Sequence, residues 1–132
     1  MISLEMIGFY SDESGSQSYP IGIMKWFYPN KGNFIAVVSN LSSHSIGGQL
    51  VAAMRRRCRV PIERLTAPSF VTGVDFSDHL NYWKADYDAI MLTDTAFLRN
   101  DNYHEKTDTP DTLNFSIMAD VITGVFFGIT HL

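Results

Sequence analysis

Phe34-Ile35-Ala36-Val37-Val38 is the stretch on which the fold of this 132-residue chain turns. A continuous apolar run of this kind reads as a strand buried on both faces. A second such run, Ala89-Ile90-Met91-Leu92, ends at Thr93-Asp94-Thr95. Between them, a helix capped by Ser43 or Ser45 runs to about Cys58, with Ile46, Leu50, Ala53 and Met54 on its inner stripe. Gly47-Gly48 weakens its first turn. Pro61-Ile62-Glu63-Arg64-Leu65 reads as a short strand, Pro68 to Phe76 as a loop, and Ser77 or Asp78 caps a short helix through Trp83. Upstream, Met1 to Gly8 reads as a strand with Ile2, Leu4 and Met6 on one face. Ser11 to Lys31 is a long Ser-, Gly- and Tyr-bearing loop, with a short helical turn around Ile23–Phe27. Downstream, a polar segment from Arg99 to Pro110 leads into a last helix capped by Asp111 or Thr112. That helix carries Leu113, Ile117, Met118, Val121, Ile122, Val125 and Phe126 at helical spacing.

Strands alternating with helices predict an α/β fold, a mixed and mostly parallel sheet with helices on its faces. Ligands collect at the carboxyl ends of strands in such sheets. The loops after Met6 and after Leu92 start at such ends, so their polar residues are where chemistry is expected.

Length, 45% hydrophobic content and 18% charged content fit one domain over residues 1–132 and exclude wholesale disorder. One cysteine excludes an internal disulfide framework and any zinc site built from several thiolates. A net charge of −4 argues against nucleic acid as a partner. Arg55, Arg56, Arg57 and Arg59 are explained by a solvated helix end. Val121 to Ile129 is too short to cross a bilayer, and no secretory signal is visible, so a cytoplasmic location without membrane contact is expected.

Three places could carry chemistry. Glu5 interrupts an apolar strand: it either faces water at a sheet edge or has a cation, metal or hydrogen-bond partner. Asp78 and His79 either cap and pack a helix or lie beside a site at a strand end. Within Tyr103-His104-Glu105-Lys106-Thr107-Asp108, the His is either a surface residue or a ligand or acid–base group. The adjacent phenol could donate to a developing oxyanion, and Asp108 could orient the loop or cap the next helix. His44 and His131 lack supporting context, and Asn40-Leu41-Ser42 matches the glycosylation pattern without an export signal.

Taken in order, Leu4-Glu5-Met6-Ile7-Gly8, Gly73-Val74-Asp75-Phe76-Ser77-Asp78-His79, Met91-Leu92-Thr93-Asp94-Thr95-Ala96-Phe97, and Tyr103-His104 with Asp108-Thr109-Pro110-Asp111-Thr112-Leu113 resemble one family. They look like the carboxyl-terminal half of the co-catalytic zinc aminopeptidases of metallopeptidase family twenty-eight, and the resemblance covers nearly the whole chain. It implies half of a zinc-exopeptidase α/β/α domain, with peptides as substrates. It implies Glu5 and His104 as zinc ligands, Tyr103 as a catalytic stabiliser of the tetrahedral intermediate, and Asp78, His79 and Asp108 as residues supporting the site.

The departure from the family matters as much. The family's first His, bridging Asp and Glu-Glu pair belong upstream of the Glu5 strand, and Asp12-Glu13, after it, do not replace them. Catalytic zinc normally takes about three protein ligands plus water. The expectation is therefore a chain that binds zinc weakly or not at all by itself. Such a chain hydrolyses peptides only when completed by an amino-terminal half. A different class of function also fits: a non-catalytic module that self-associates through an exposed sheet edge.

Overall fold

The computed structural model describes all residues, 1–132. Its elements are β1 (Ile2–Glu5), β2 (Ile35–Ser39), α1 (His44–Met54), β3 (Ile62–Thr66), α2 (His79–Lys84), β4 (Ile90–Thr93) and α3 (Phe115–Ile129), with short 3-10 turns at Gly22–Trp26, Ala96–Leu98 and Pro110–Thr112. The four strands form one mixed sheet in the order β1-β4-β2-β3. β1 runs parallel to β4 and β2 parallel to β3, while β2 and β4 are antiparallel. The expected α/β class and mixed sheet are therefore observed. The carboxyl ends of β1 and β4 share one end of the sheet, and those of β2 and β3 the other.

Alternation along each strand feeds two cores. Ile35, Val37, Ile90 and Leu92 point to the face covered by α1 and α3, where they pack with Leu50, Met54, Val121 and Val125. Ala36, Val38 and Met91 point to the opposite face, with Phe34, Val71 and Val74. That alternation explains why both central strands read as unbroken apolar runs.

Several local expectations are corrected. β1 ends at Glu5, because Met6 adopts a left-handed backbone with φ 53°. Leu4, on the same face of β1 as Ile2, is half exposed on the sheet's edge strand. α1 stops at Met54, and the chain turns through Arg57 with the Met54 carbonyl accepting from the Arg57 and Cys58 amides. Ser43 sits at the helix start without capping it. Its buried hydroxyl instead accepts from the Ala89 amide at 3.1 Å, tying α1 to β4. Asp78, one of the two expected residues, stands at the N-cap of α2, but its side chain makes no capping hydrogen bond.

The last helix begins at Phe115, not near Asp111. Leu113 is extended, and the Asn114 side chain caps α3 by accepting from the Ile117 amide at 3.0 Å. Its inner stripe is set by Val121, Gly124, Val125 and Gly128. A β-carbon on Gly124 would lie 2.7 Å from Cys58 Cβ, and one on Gly128 would lie 2.6 Å from Leu50 Cδ1. The two glycines thus let α3 approach α1 closely. That rotation leaves Ile122 50% and Phe126 71% exposed, although both belong to the apolar series at helical spacing.

The two sheet edges differ. On β3, the Arg55 guanidinium donates to the Ile62 carbonyl at 2.7 Å and the Tyr28 hydroxyl to the Arg64 carbonyl at 3.0 Å. β1 pairs on one side only, with β4. One edge is closed by side chains and the other is open. No helix is long and apolar enough to cross a membrane.

Candidate functional site

Glu5 and Thr93 stand opposite each other where β1 and β4 end. Beyond them both chains turn through left-handed backbone, at Met6 and at Thr95 (φ 73°) and Ala96 (φ 45°). Non-glycine residues rarely adopt this conformation, so something must hold it. Asp94 does. Its buried carboxylate accepts from the Gly8 amide at 3.0 Å, the Phe9 amide at 2.8 Å and the Ala96 amide at 3.0 Å, and its own amide donates to the Met6 carbonyl at 2.6 Å. Burial pushes the Asp94 carboxyl above the usual carboxylate range, against the three amides and the Arg99 charge, which pull it down.

Arg99 completes this support. Its buried guanidinium donates to the Gln17 side-chain oxygen at 2.8 Å and to the Gly32 and Phe34 carbonyls at 3.0 and 2.9 Å. It also lies over the Phe34 ring at 4.5 Å. Burial lowers its pKa to about 10, with Asp94 opposing the shift. The long loop expected between Ser11 and Lys31 is thus pinned to the sheet at Gln17 and Gly32.

Glu5 does not simply face water. The Ser77 hydroxyl donates to its Oε2 at 2.9 Å, and the Ser77 and Ser3 hydroxyls are 2.6 Å apart. Since Ser77 gives its proton to Glu5, Ser3 must donate to Ser77. Ser77 is therefore a hydroxyl relay that fixes one carboxylate oxygen and leaves the other available.

An open, mostly apolar pocket lies beside Glu5. Glu5 and Tyr103 line it, with Phe76 and Phe97 as apolar wall and Thr93 and Ala36 from the strands beneath. The Phe97 ring packs at 5.9 Å from that of Tyr103 and 5.8 Å from that of Phe76, so the wall is one aromatic series.

The other expected residues lie as follows. His104 is exposed, stacked on Tyr103 at 3.8 Å, with φ 61°, and does not line the pocket. Asp78 is exposed. His79 is fully buried: Nε2 meets the Val74 carbonyl at 2.7 Å, and the Trp83 ring packs edge-on at 4.4 Å. Since a carbonyl can only accept, Nε2 carries the proton and the buried Nδ1 is left without a partner. Burial lowers the His79 pKa, so the ring is held neutral. Asp108 is exposed and borders, with Asp94, a separate groove near Pro110 and Leu113. Nowhere does the chain gather three or more His, Cys, Asp or Glu side chains into a group able to hold a metal. Glu5 and His104 by themselves do not make a catalytic zinc set.

The mixed four-stranded sheet with its helices is an α/β fold that a solved aminopeptidase structure shares. LapA aminopeptidase of Legionella pneumophila superposes on 99% of this chain with a TM-score of 0.60 at 16% identity, over 31% of its own length. A second LapA structure matches 77% of the chain with a TM-score of 0.55 at 23% identity, over 28% of its length. No family model matches. In sequence, the chain is 49% identical over 125 residues to the uncharacterized protein YfbL of Escherichia coli (strain K12). The match spans 95% of this chain and 39% of YfbL. The chain thus spans about two fifths of its curated relative and about a third of LapA.

Proposed function

We propose that this chain carries the substrate pocket of an aminopeptidase-like peptide hydrolase, active when joined to a complementing amino-terminal half. The observation that carries the reading is the pocket with Glu5 at one end, its carboxylate fixed by Ser77, and the Tyr103 phenol in the same wall. An apolar aromatic wall suits a substrate side chain. A phenol beside it is a hydrogen-bond donor for the oxygen of a carbonyl under attack. Asp94 and Arg99 keep the two pocket-forming turns in place. Zinc enters only through the sequence resemblance, which makes Glu5 and His104 two of its donors. Any zinc in the assembled enzyme takes its remaining donors from the complement.

The test is reconstitution. The chain is co-expressed with the part of YfbL outside the 125 matched residues, and hydrolysis of aminoacyl p-nitroanilides is followed. The expected result is no hydrolysis by either piece alone, hydrolysis by the pair, and loss of it in Glu5→Ala. Activity of the pair that is indifferent to Glu5→Ala overturns the reading.

A second reading, a non-catalytic module that self-associates, is favoured by the open edge of β1 with half-exposed Leu4. It requires a dimer by light scattering that Leu4→Lys dissociates. A monomer at high concentration excludes it.

A further inference from the structure

The pocket's floor is a straight row across the sheet. Glu5 on β1 is opposite Thr93 on β4, Thr93 is opposite Ala36 on β2, and Ala36 is opposite Glu63 on β3. Residues paired in register share a face, and here it is the one that carries Ala36, Val38 and Met91. Four strands place the two carboxylates at opposite ends of a trough whose middle is formed by two smaller side chains. With neighbouring strands about 4.8 Å apart, the α-carbons of Glu5 and Glu63 are separated by about 14 Å.

The Glu63 end is built unlike the rest. Glu63 lines the pocket beside Tyr19 and Tyr28, whose rings lie 5.9 Å apart. Both phenols are committed elsewhere, Tyr19 donating to the Pro29 carbonyl at 2.6 Å and Tyr28 to the Arg64 carbonyl. The phenols therefore have no proton left to give, and they offer a cation their π-systems and an accepting oxygen. Glu63 has no ion-pair partner, since the chain's single ion pair joins Arg59 to Asp120. Arg64, its neighbour in sequence, donates instead to the His44 carbonyl at the start of α1. The negative field of Glu63 adds to burial in raising both phenols. A free carboxylate next to two aromatic rings, at the end of an apolar trough, is the chemistry that receives a cation on an apolar stem.

We propose that the pocket selects peptides whose first residue is lysine or arginine, with Glu63 as the specificity-determining residue; this rests on the aminopeptidase-like reading above. Leucine anchored at the Glu5 end stops short of Glu63. The long stem of lysine or arginine lies over Thr93 and Ala36 against the aromatic wall and delivers its charge to Glu63.

The experiment uses the chain itself, titrated calorimetrically at neutral pH with L-lysinamide, L-argininamide and L-norleucinamide. The two cationic amides are expected to bind about tenfold tighter than norleucinamide. Glu63→Gln is expected to bring all three within about twofold while leaving norleucinamide unchanged, which also shows that the variant is folded. Equal affinities in the wild type, or a cationic preference that survives Glu63→Gln, overturns the proposal while leaving the substrate pocket standing. Binding of none of the three amides overturns the pocket and the proposed function together.

Discussion

Asp94→Ala should be the most disruptive single change at this end of the sheet. The substitution leaves the amides of Gly8, Phe9 and Ala96 without their acceptor. Each unsatisfied donor costs about 1–3 kcal/mol when buried, and Phe9, the more accessible, recovers part of this through water. The expected loss is about 3–6 kcal/mol, a large part of the stability of a domain this size. The opposing strain is comparable: left-handed backbone at Met6, Thr95 and Ala96 costs roughly 1–2 kcal/mol per residue. Without Asp94 both turns should therefore relax, and Glu5 and Phe97 should lose their fixed positions. Asp94→Asn keeps one acceptor oxygen and should fall between wild type and alanine. Urea denaturation gives the ordering, and hydrogen exchange should show faster exchange at Gly8, Phe9 and Ala96. A loss below about 1 kcal/mol for Asp94→Ala, with unchanged exchange at those amides, would refute the keystone role.

Other outcomes follow from the same geometry. His79 has a lowered folded-state pKa because burial opposes its charge, so the unfolded chain binds the extra proton. Stability should be complete above the ordinary His pKa of about 6.5 and fall below it, by at most about 1.4 kcal/mol per pH unit. His79→Phe, which keeps the edge-on contact with Trp83, should flatten this part of the pH profile, and an unchanged slope would assign it elsewhere. Gly124→Ala should destabilise by about 1–3 kcal/mol despite alanine's better helix propensity, because Cys58 Cβ stands where the methyl must go. Gly128→Ala should cost less, since the end of the Leu50 side chain can move; thermal unfolding of the pair tests the order. Calorimetric titration of the isolated chain with zinc should give weak, substoichiometric binding. Two tightly held ions per chain, lost in Glu5→Ala and His104→Ala, would show that this chain completes a site unaided.

Much of the fold is legible in the sequence because the strands are uninterrupted apolar runs and the helices amphipathic. β2, β3, β4 and α1 fall within a few residues of the pattern. Strand direction is not so written: nothing in Ile90-Met91-Leu92 says that β4 runs against β2. Hydroxyl side chains mislead for a related reason. Ser43 and Ser77 stand at helix starts, where capping is the local use for a serine, yet tertiary partners claim both. α3 shows the limit of periodicity, since Gly124 and Gly128 decide which side of an almost wholly apolar helix faces in. At the site, a charge breaking an apolar strand picks out Glu5. Glu63 carries no such signal, because a charged residue in a short strand reads as a solvated edge until register aligns it with Ala36, Thr93 and Glu5.

That row gives the molecule a direction. Its Glu63 end lies on β3, whose outer carbonyls are closed by Arg55 and Tyr28. Its Glu5 end lies on β1, whose outer side has no strand beside it. Groups that add to the site can therefore approach Glu5 from the side of β1 but have no open strand to join at Glu63. On the proposed reading, recognition of a side chain is finished within this chain, at the closed end. On the same reading, chemistry at Glu5 draws its further donors from the complement, and the open edge of β1 is where they have room to arrive. The same division explains why Asp94 and Arg99 concentrate so many hydrogen bonds on the turns after β1 and β4. With no neighbouring strand to brace β1, the position of Glu5 depends on Ser77 on one face and on the turn that Asp94 holds.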